Sequence, residues 1–234
     1  MKKTSIIIPC YNEEKNIKQL VRRFLPIKNN FNIELILVDN GSNDRTREKI
    51  LAYANRFDFI KLAEVKKNKG YGYGILKGLQ KATGEYLGWM HADLQSNPNI
   101  FCSMMNCAVL ESESFLFKGR RKKRPAADTF FTVGMSLFET LFLHRILWDI
   151  NAQPTLFDRK FYMQWENAPY DFSLDLYAYY LAKINGIKIV RFPSVHYKRQ
   201  NGESTWNTGI WARIRLIKRV LAYSRNLKKS VPNK

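Results

Sequence analysis

The chain has 234 residues, of which 45% are hydrophobic and 25% charged, and lysine plus arginine outnumber aspartate plus glutamate by 39 to 20. This composition predicts one folded domain, or one with an appendage, and excludes a disordered chain. No apolar run reaches the roughly 20 residues of a membrane-spanning helix. Three cysteines without metal-ligand spacing favour a reduced, cytoplasmic protein.

The first part of the chain alternates short apolar runs with helical patterns. Strands are predicted at residues 5–9, 34–38, 59–65 and 85–90. Helices are predicted between them, at about 17–24, 44–56 and 72–82. This order is typical of a doubly wound, mostly parallel α/β sheet flanked by helices. In such sheets ligands bind at the carboxyl ends of the strands.

The second part of the chain is less regular. Residues 129–148 are apolar on nearly every side, which indicates burial or contact with lipid. A helix is predicted at 172–184, one or two strands at 188–197, and an amphipathic helix at about 208–227. We therefore divide the chain into a domain at 1–207 and a basic amphipathic C-terminal helix and tail at 208–234.

The positive charge is concentrated in two segments. Six cationic side chains lie between residues 118 and 124 and eight lie beyond residue 206, with no acidic residue in either segment. Such segments are explained by a solvated basic face, or by binding to a phosphate-rich ligand, a nucleic acid or the anionic leaflet of a membrane.

Residues 69–74 form a glycine run, Lys-Gly-Tyr-Gly-Tyr-Gly. The run lacks both the Gly-x-Gly-x-x-Gly pattern after the first strand and the Gly-Lys-Ser/Thr pattern of nucleotide-binding loops. It therefore argues against a hydride-transfer or P-loop enzyme. We expect these glycines to allow close packing at the start of a helix.

Three polar segments follow the first, second and fourth predicted strands. They are Pro-x-Tyr-Asn-Glu-Glu at 9–14, Asp-Asn-Gly-Ser-x-Asp-x-Thr at 39–46, and His-Ala-Asp-Leu-Gln at 91–95. Taken singly they are explained by local structure, since Asp44 fits a helix N-cap and Asp93 a turn. Together, at the ends of strands that meet at one edge of the sheet, they predict a binding site.

This combination resembles the family 2 inverting glycosyltransferases of the GT-A fold, and most closely the branch of the dolichol- and polyprenyl-phosphate sugar synthases. The resemblance covers about residues 4–206 and includes three further motifs. These are Asn68-x-Gly70, Ala82-x-Gly84-Glu85-Tyr86 and Arg199-x-x-Gly202-Glu203-Ser204. It implies a GT-A domain that takes a sugar from a nucleoside-diphosphate sugar.

The resemblance also implies the residues that hold this donor. Pro9, Tyr11 and Glu13 are assigned to the base and ribose, and Asp39 to a hydrogen bond with the nucleobase, since a carboxylate accepts from ring N–H donors. The wider donor site then includes further residues of the later motifs. They are His91, Ala92, Asp93, Arg121 and Arg199.

The resemblance implies a divalent cation, Mg²⁺ or Mn²⁺, bound at an Asp-x-Asp element. Here His91 replaces the first aspartate, and Asp93 and Gln95 remain as oxygen ligands. His91 is a candidate Mn²⁺ ligand, a contact to ribose, or a residue that only fills the position. Arg199 matches the late arginine that stabilises the diphosphate leaving group, work that suits a permanently charged guanidinium.

Residues 119–121 match a Gly-Ser-Arg segment of the polyprenyl-phosphate branch. The match makes Arg121, helped by Arg120 and Arg124, a candidate clamp for the acceptor phosphate or the diphosphate, and Ser204 joins this set. A hydroxyl acceptor also needs a general base, whereas a phosphate acceptor is already anionic. Asp171 and Asp175 are candidates for that base, or a helix cap and a surface residue, and Asp149 is a weaker third candidate.

We therefore expect a metal-dependent inverting glycosyltransferase on the cytoplasmic face of a membrane. Its acceptor would be a polyprenyl or dolichyl phosphate. The first alternative is transfer to a glycan hydroxyl in surface polysaccharide or glycolipid assembly. A hypothesis of another class is a non-catalytic basic protein that binds nucleic acid or anionic membrane. The three motifs argue against that class, so we expect a membrane partner and no nucleic acid.

Overall fold

The computed structural model describes residues 2–122, 126–195, 197, 199 and 210–230; among these, the side chains of 126–128, 130–131, 210–216 and 230 lie outside the description. The described residues form seven strands and eight helices. The strands are β1 (Thr4–Cys10), β2 (Ile33–Asp39), β3 (Ile60–Glu64), β4 (Tyr86–Trp89), β5 (Phe115–Lys122), β6 (Thr155–Asp158) and β7 (Lys188–Val195). The helices are α1 (Ile17–Asn30), α2 (Thr46–Arg56), α3 (Tyr71–Lys81), α4 (Ile100–Ala108), α5 (Ala126–Leu143), α6 (Arg159–Tyr162), α7 (Ser173–Ile184) and α8 (Ile210–Ser230).

The strands form one mixed sheet in the order β3-β2-β1-β4-β6-β5-β7. The first four strands are mutually parallel, and β5 and β7 are parallel to each other. β6 is antiparallel to both of its neighbours, β4 and β5. This arrangement confirms the predicted mostly parallel sheet.

The core lies on both faces of the sheet, because successive side chains of a strand point to opposite faces. Ile6 and Ile8 of β1 pack with α1, α2 and α4 on one face. Ile7 packs with α3 and α7 on the other. β1 and β2 are buried almost throughout, as expected for parallel strands that are covered on both faces.

The second half of the fold contains helices and strands that the sequence pattern does not predict. The pattern does not predict β5, the nine-residue helix α4 or β6, whose four residues are too few to show an alternation. Residues 188–195 form a single strand around Pro193, and this strand lies at the edge of the sheet, where a missing N–H is tolerated.

The last helix packs on the domain. Leu227 of α8 is buried in the core cluster that also contains α7, and the Ser224 hydroxyl donates to the buried Glu139 carboxylate of α5 at 2.8–2.9 Å. Lys228 Nζ donates to the Phe142 carbonyl at 3.0 Å. The predicted boundary at residue 207, between the domain and the C-terminal helix and tail, stays a prediction. The second half of α8 packs on the domain. Over the described residues, no helix is both long and apolar enough to cross a membrane.

Candidate active site

The loops that follow β1 and β2 are hydrogen-bonded to each other at one edge of the sheet. The Asn40 N–H donates to the Cys10 carbonyl at 2.8 Å, and the Asn12 N–H donates to the Ser42 hydroxyl at 3.1 Å. Asp44 accepts from Thr46 N at the start of α2 and from Glu14 N of the first loop. Asp44 therefore accepts from the first N–H of α2 and links the two loops, whereas the N-cap residue itself is Arg45.

The predicted nucleoside residues lie at the ends of β1 and β2 or directly after them. Asp39 is buried at the end of β2, and one carboxylate oxygen accepts from the Ser42 N–H at 3.1 Å. Pro9 is the penultimate residue of β1 and pairs with Val38, and Tyr11 is half-buried directly after the strand. Because β1 and β2 are adjacent and parallel, their loops place Tyr11 and Asp39 at the same edge.

Glu13 and Arg199, far apart in the sequence, form an ion pair. Arg199 Nη2 donates to Glu13 Oε1 at 2.9 Å. The backbone next to Arg199 is held by the loop after β4, because the Tyr197 N–H donates to the Gln95 carbonyl at 2.8 Å. Burial raises the pKa of the Glu13 carboxyl, whereas the hydrogen bond from Asn16 and the charge of Arg199 lower it.

The loop after β4 carries the predicted metal ligands. The Gln95 N–H donates to Asp93 Oδ1 at 3.0 Å, Leu94 has a positive φ of 62°, and the Leu94 carbonyl accepts from Arg23 Nη1 at 3.1 Å. Ala92 is buried and Asp93 is half-buried. The charge of Asp93 contributes to the raised pKa of Glu13, so the two carboxyl groups are electrostatic neighbours.

The described residues contain no group of three histidine, cysteine, aspartate or glutamate side chains that could hold a metal alone. A single half-buried carboxylate nevertheless fits Mg²⁺ or Mn²⁺ when a substrate phosphate completes the coordination, since Mg²⁺ is commonly held by one or two carboxylates plus phosphates. Asp93 would be the protein's oxygen ligand in such a site.

His91 is the first member of a stack of three rings. Its ring lies 5.0 Å from the Tyr71 ring at an interplanar angle of 25°, and Tyr71 lies 4.8 Å from Phe172 at 13°. The Tyr71 hydroxyl accepts from Gln153 Nε2 at 3.1 Å. Burial, and to a smaller degree the charges of Asp175 and Asp93, raise the pKa of Tyr71.

The two predicted general bases have different environments. Asp175 lies in α7 and pairs with Lys118 of β5 at 3.1 Å, and the two side chains are 1% and 0% exposed. Gln153 Nε2 also donates to this carboxylate. Asp171 is half-buried and lies directly before the N-cap residue Phe172 of α7, and its carboxylate accepts from the Ser173 N–H at 2.9 Å. Of the two, only Asp171 is accessible to an acceptor in this arrangement.

The residues of the predicted arginine clamp lie in different environments. Arg121 Nε donates to Asp149 Oδ1 at 2.8 Å, and its backbone N–H donates to the other oxygen at 2.9 Å. Arg191 is a second cation near the same buried carboxylate, at 3.7 Å. Arg120 is exposed. Arg124 and Ser204 lie outside the described residues.

The glycine run packs closely against another loop, as predicted. A Cβ at Gly70 would lie 2.4 Å from the Tyr170 carbonyl oxygen, and a Cβ at Gly72 would lie 2.5 Å from that of Pro169. The Tyr73 N–H donates to the Tyr170 carbonyl at 2.9 Å. The start of α3 is thereby fixed to the loop that precedes α7.

Residues 5–174 match glycosyl transferase family 2. The chain belongs to this family. It is 35% identical over 98 residues to the dolichol-phosphate mannosyltransferase of Pyrococcus furiosus, a match that covers 42% of this chain and 28% of the relative. It is 32% identical over 123 residues to the dodecaprenyl-phosphate galacturonate synthase of Rhizobium johnstonii, which covers 51% and 36% of the two chains. The match thus spans about a third of each relative's length.

Solved structures of the same architecture include glucosyl-3-phosphoglycerate synthase from Mycobacterium tuberculosis. The structure of that enzyme with Mn²⁺, UDP and glucosyl-3-phosphoglycerate has a TM-score of 0.71 at 16% identity, over 100% of this chain and 82% of the other. Its complex with Mn²⁺ and UDP-glucose has a TM-score of 0.73 at 15% identity, over 95% and 79%. This likeness confirms the predicted GT-A fold.

Three residues of this site were not predicted: Tyr71, Gln153 and Lys118. Lys118 belongs to the basic segment, which gives no sign that this one cation is buried. Gln153 lies between β5 and β6 in the chain, where no motif marks it. Tyr71 lies in the glycine run, and the same pattern of flanking glycines surrounds Tyr73, so the sequence does not single it out.

Proposed function

We propose that the protein transfers a sugar, with inversion, from a nucleoside-diphosphate sugar to a lipid-linked phosphate at a membrane surface. The observation that carries this proposal is the meeting of Glu13, Asp93 and Arg199 at the carboxyl ends of β1 and β4. A carboxylate for a cation and an arginine beside it are what a diphosphate leaving group requires. The named activities of the relatives, which act on polyprenyl phosphates, support the acceptor class.

The donor would lie across the ends of β1, β2 and β4. Asp39 would accept from the nucleobase, Pro9 and Tyr11 would flank it, and Glu13 would reach the ribose while it positions Arg199. Arg199 would neutralise the negative charge that develops on the departing diphosphate. A divalent ion at Asp93, with Gln95 and His91 beside it, would supply a second positive charge for that diphosphate when bound.

The environment of Asp175 favours a phosphate acceptor. A general base has to reach the acceptor proton, and Asp175 is instead buried against Lys118. A phosphate monoester is largely ionised at neutral pH and needs positioning more than deprotonation. Arg120 and Arg121, at the end of β5, remain the proposed contacts for this phosphate, together with Arg124 and Ser204.

Transfer to a glycan hydroxyl is the second candidate, and the position of Asp171 favours it. Asp171 is half-buried in the loop that packs against the glycine run, next to Phe172 of the ring stack. One oxygen of its carboxylate accepts from the Ser173 N–H, and the other could accept a proton from the acceptor.

An exposed apolar surface supports the membrane location. We call it the α5 patch; its large exposed side chains are Leu137, Phe138, Leu141, Ile146 and Trp148.

The segment after α5 folds back along the helix, because the Leu147 N–H donates to the Thr140 hydroxyl at 3.0 Å and the Asp149 N–H donates to the Ser136 hydroxyl at 3.1 Å. The bond between Arg121 and Asp149 brings the exposed cations Arg120 and Lys122 next to this segment. An apolar surface beside cations suits an anionic leaflet.

A transfer assay tests the proposal. Purified protein is incubated with Mn²⁺, a panel of UDP-, GDP- and dTDP-sugars, and undecaprenyl phosphate in detergent, and the glycolipid is detected by mass spectrometry. We expect one donor to give a sugar-phospholipid product. Transfer only to a hydroxyl-bearing glycan would favour the second candidate. A protein that neither transfers nor hydrolyses any of these donors would contradict both, and would favour a non-catalytic membrane-binding protein.

A further inference from the structure

The Tyr71 ring lies between the two sides of the proposed active site. On one face it stacks on His91, which follows β4 and belongs to the donor side; the ring centroids are 5.0 Å apart. On the other face it stacks on Phe172, which precedes α7 and belongs to the acceptor side, at 4.8 Å. Small interplanar angles, 25° and 13°, mean that the three rings are nearly parallel.

The hydroxyl end of Tyr71 is held by a buried polar chain. Gln153 Nε2 donates to the Tyr71 hydroxyl at 3.1 Å and to Asp175 Oδ1 at 3.2 Å. Asp175 in turn accepts from Lys118 Nζ at 3.1 Å. Lys118, Gln153 and Asp175 are all buried, so a partner lost from this chain would leave polar atoms without water.

The backbone of Tyr71 is fixed as well. Gly70 has a φ of +116°, a conformation that other residues rarely adopt, and both flanking glycines approach carbonyl oxygens of residues 169–171 too closely to accept a Cβ. The ring, the hydroxyl and the backbone of Tyr71 are therefore each held by a different part of the fold.

We infer that Tyr71 is a positioning residue of this enzyme: by stacking, it fixes the orientation of the His91 imidazole beside the donor diphosphate. The inference rests on the proposed function for the identity of the ligand. A stacked imidazole keeps its ring plane, and its two nitrogens point outward in that plane toward ligands. No group of the described residues hydrogen-bonds those nitrogens.

The matched control residue is Tyr73, which lies two residues after Tyr71 in α3. Tyr73 packs edge-on against Tyr170 at 5.0 Å, whereas the His91 ring stacks on Tyr71. Tyr71→Leu removes the stack, Tyr71→Phe keeps the stack and removes the hydroxyl, and Tyr73→Leu removes a different aromatic pair. Thermal melting of each variant establishes that it is folded. If Tyr71→Leu does not fold, Tyr71→Met fills the same space with a flexible side chain and takes its place.

The first measurement is NMR of the histidine rings, of which the chain has only three, His91, His144 and His196. Substitution of each histidine assigns its imidazole proton signals. We expect the His91 signals to carry a ring-current shift that is lost in Tyr71→Leu and retained in Tyr71→Phe and Tyr73→Leu. The His144 signals should not move in any variant. Unchanged His91 signals in Tyr71→Leu would overturn the inference without bearing on the transfer reaction.

The second measurement is nucleotide binding, by calorimetry with UDP, GDP and dTDP in the presence of Mg²⁺. We expect Tyr71→Leu to weaken binding of the preferred nucleotide about three- to tenfold, because the freed His91 side chain would then have to be ordered on binding. Tyr71→Phe and Tyr73→Leu should stay close to the wild type. A moved His91 signal with unchanged affinity would show that the orientation of His91 is not used, and would also overturn the inference. A wild type that binds none of the three nucleotides would remove the proposed function and this inference with it.

Discussion

Asp93 is the only carboxylate in the segment 91–95 that follows β4. Its Oδ1 atom is already bonded to the Gln95 N–H, which orients the carboxylate within its own loop. The proposed cation and diphosphate therefore depend on one side chain, and a neutral residue there would leave the leaving group with Arg199 alone.

We expect Asp93→Ala to abolish transfer while the protein stays folded, because Asp93 is half-buried and makes only a local turn. Steady-state turnover with saturating Mn²⁺ and a thermal melt are measured on the same preparation. Asp58→Ala, at an exposed aspartate away from the site, is the control and should keep wild-type turnover. Near wild-type turnover in Asp93→Ala would mean that the metal position is misassigned.

Arg199→Ala should lower kcat by roughly 10²–10³-fold, the usual effect of losing one donor to a developing anion. The affinity for the donor should change less, because the charge is needed most when the diphosphate departs. Arg199→Lys should recover only part of the loss, since lysine lacks the fork of donors. An exposed arginine of α2, Arg56, provides the control. An unchanged kcat with weaker donor binding would identify Arg199 as a ground-state contact.

Asp171→Asn and Asp175→Asn separate catalysis from stability. Asp175→Asn leaves Lys118 buried without its counter-charge and should cost about 3–5 kcal/mol of unfolding free energy. Asp171→Asn should leave stability almost unchanged, since the asparagine side-chain oxygen can accept the same bond from the Ser173 N–H. If the acceptor is a hydroxyl and Asp171 its base, Asp171→Asn should lose about 10²–10⁴-fold in kcat. Little loss there would support the phosphate acceptor, and an unaltered urea midpoint in Asp175→Asn would contradict the buried pair.

At the scale of the elements, the sequence predicts the first half of the fold well. The strands β1, β2, β3 and β4 are apolar runs between turn residues, so their pattern is local, and their carboxyl ends place Glu13, Asp39 and Asp93 together. The polar chain from Lys118 through Asp175 to Tyr71 is not predictable in this way. Its members come from β5, α7 and α3, and only the tertiary packing of these elements brings them into contact.

The contact between α5 and α8 contains a buried acid. Burial raises the pKa of Glu139 to about 7 from an ordinary value of 4.5, although the hydrogen bond from Ser224 lowers it. A raised pKa means that the folded protein binds the proton more tightly than the unfolded chain. The acid is neutral in both states below about pH 4.5, and folding is penalised increasingly as the pH rises from there to about 7.

We therefore expect Glu139→Gln to stabilise the protein relative to the wild type more at pH 8 than at pH 5. The change between the two pH values should be at most about 3 kcal/mol. The quantity to measure is the difference in urea unfolding free energy between variant and wild type at each pH, because other groups titrate in both proteins. Ser224→Ala is the companion variant; it removes the bond that stabilises the charged form and should steepen the loss of stability above pH 5. A difference that does not change between the two pH values would contradict the shifted pKa.

At the scale of the whole molecule, exposed cations at the end of β5 adjoin the exposed apolar side chains of the α5 patch. Leu141 and Ile146 in the α5 patch are 66% and 75% exposed. The exposed Arg120 and Lys122 adjoin the patch through the bond between Arg121 and Asp149. The side chains at the start of α8, Trp211 and Ile214 among them, lie outside the described residues. Its second half is occupied by contacts to the domain, with Leu227 buried.

We expect the protein to bind anionic vesicles through the α5 patch, and to do so less at high salt. Each cation close to an anionic leaflet contributes about 1 kcal/mol, and salt screens this attraction. The test is co-sedimentation with vesicles of phosphatidylglycerol and phosphatidylcholine at low and high ionic strength. Leu141→Glu combined with Ile146→Glu should remove binding, because two carboxylates would have to enter the interface. Val109→Glu combined with Leu110→Glu adds the same charge at another exposed apolar position, at the end of α4, and should bind like the wild type. Equal losses in both double variants would assign the binding to net charge alone, and the α5 patch would then not be the membrane surface.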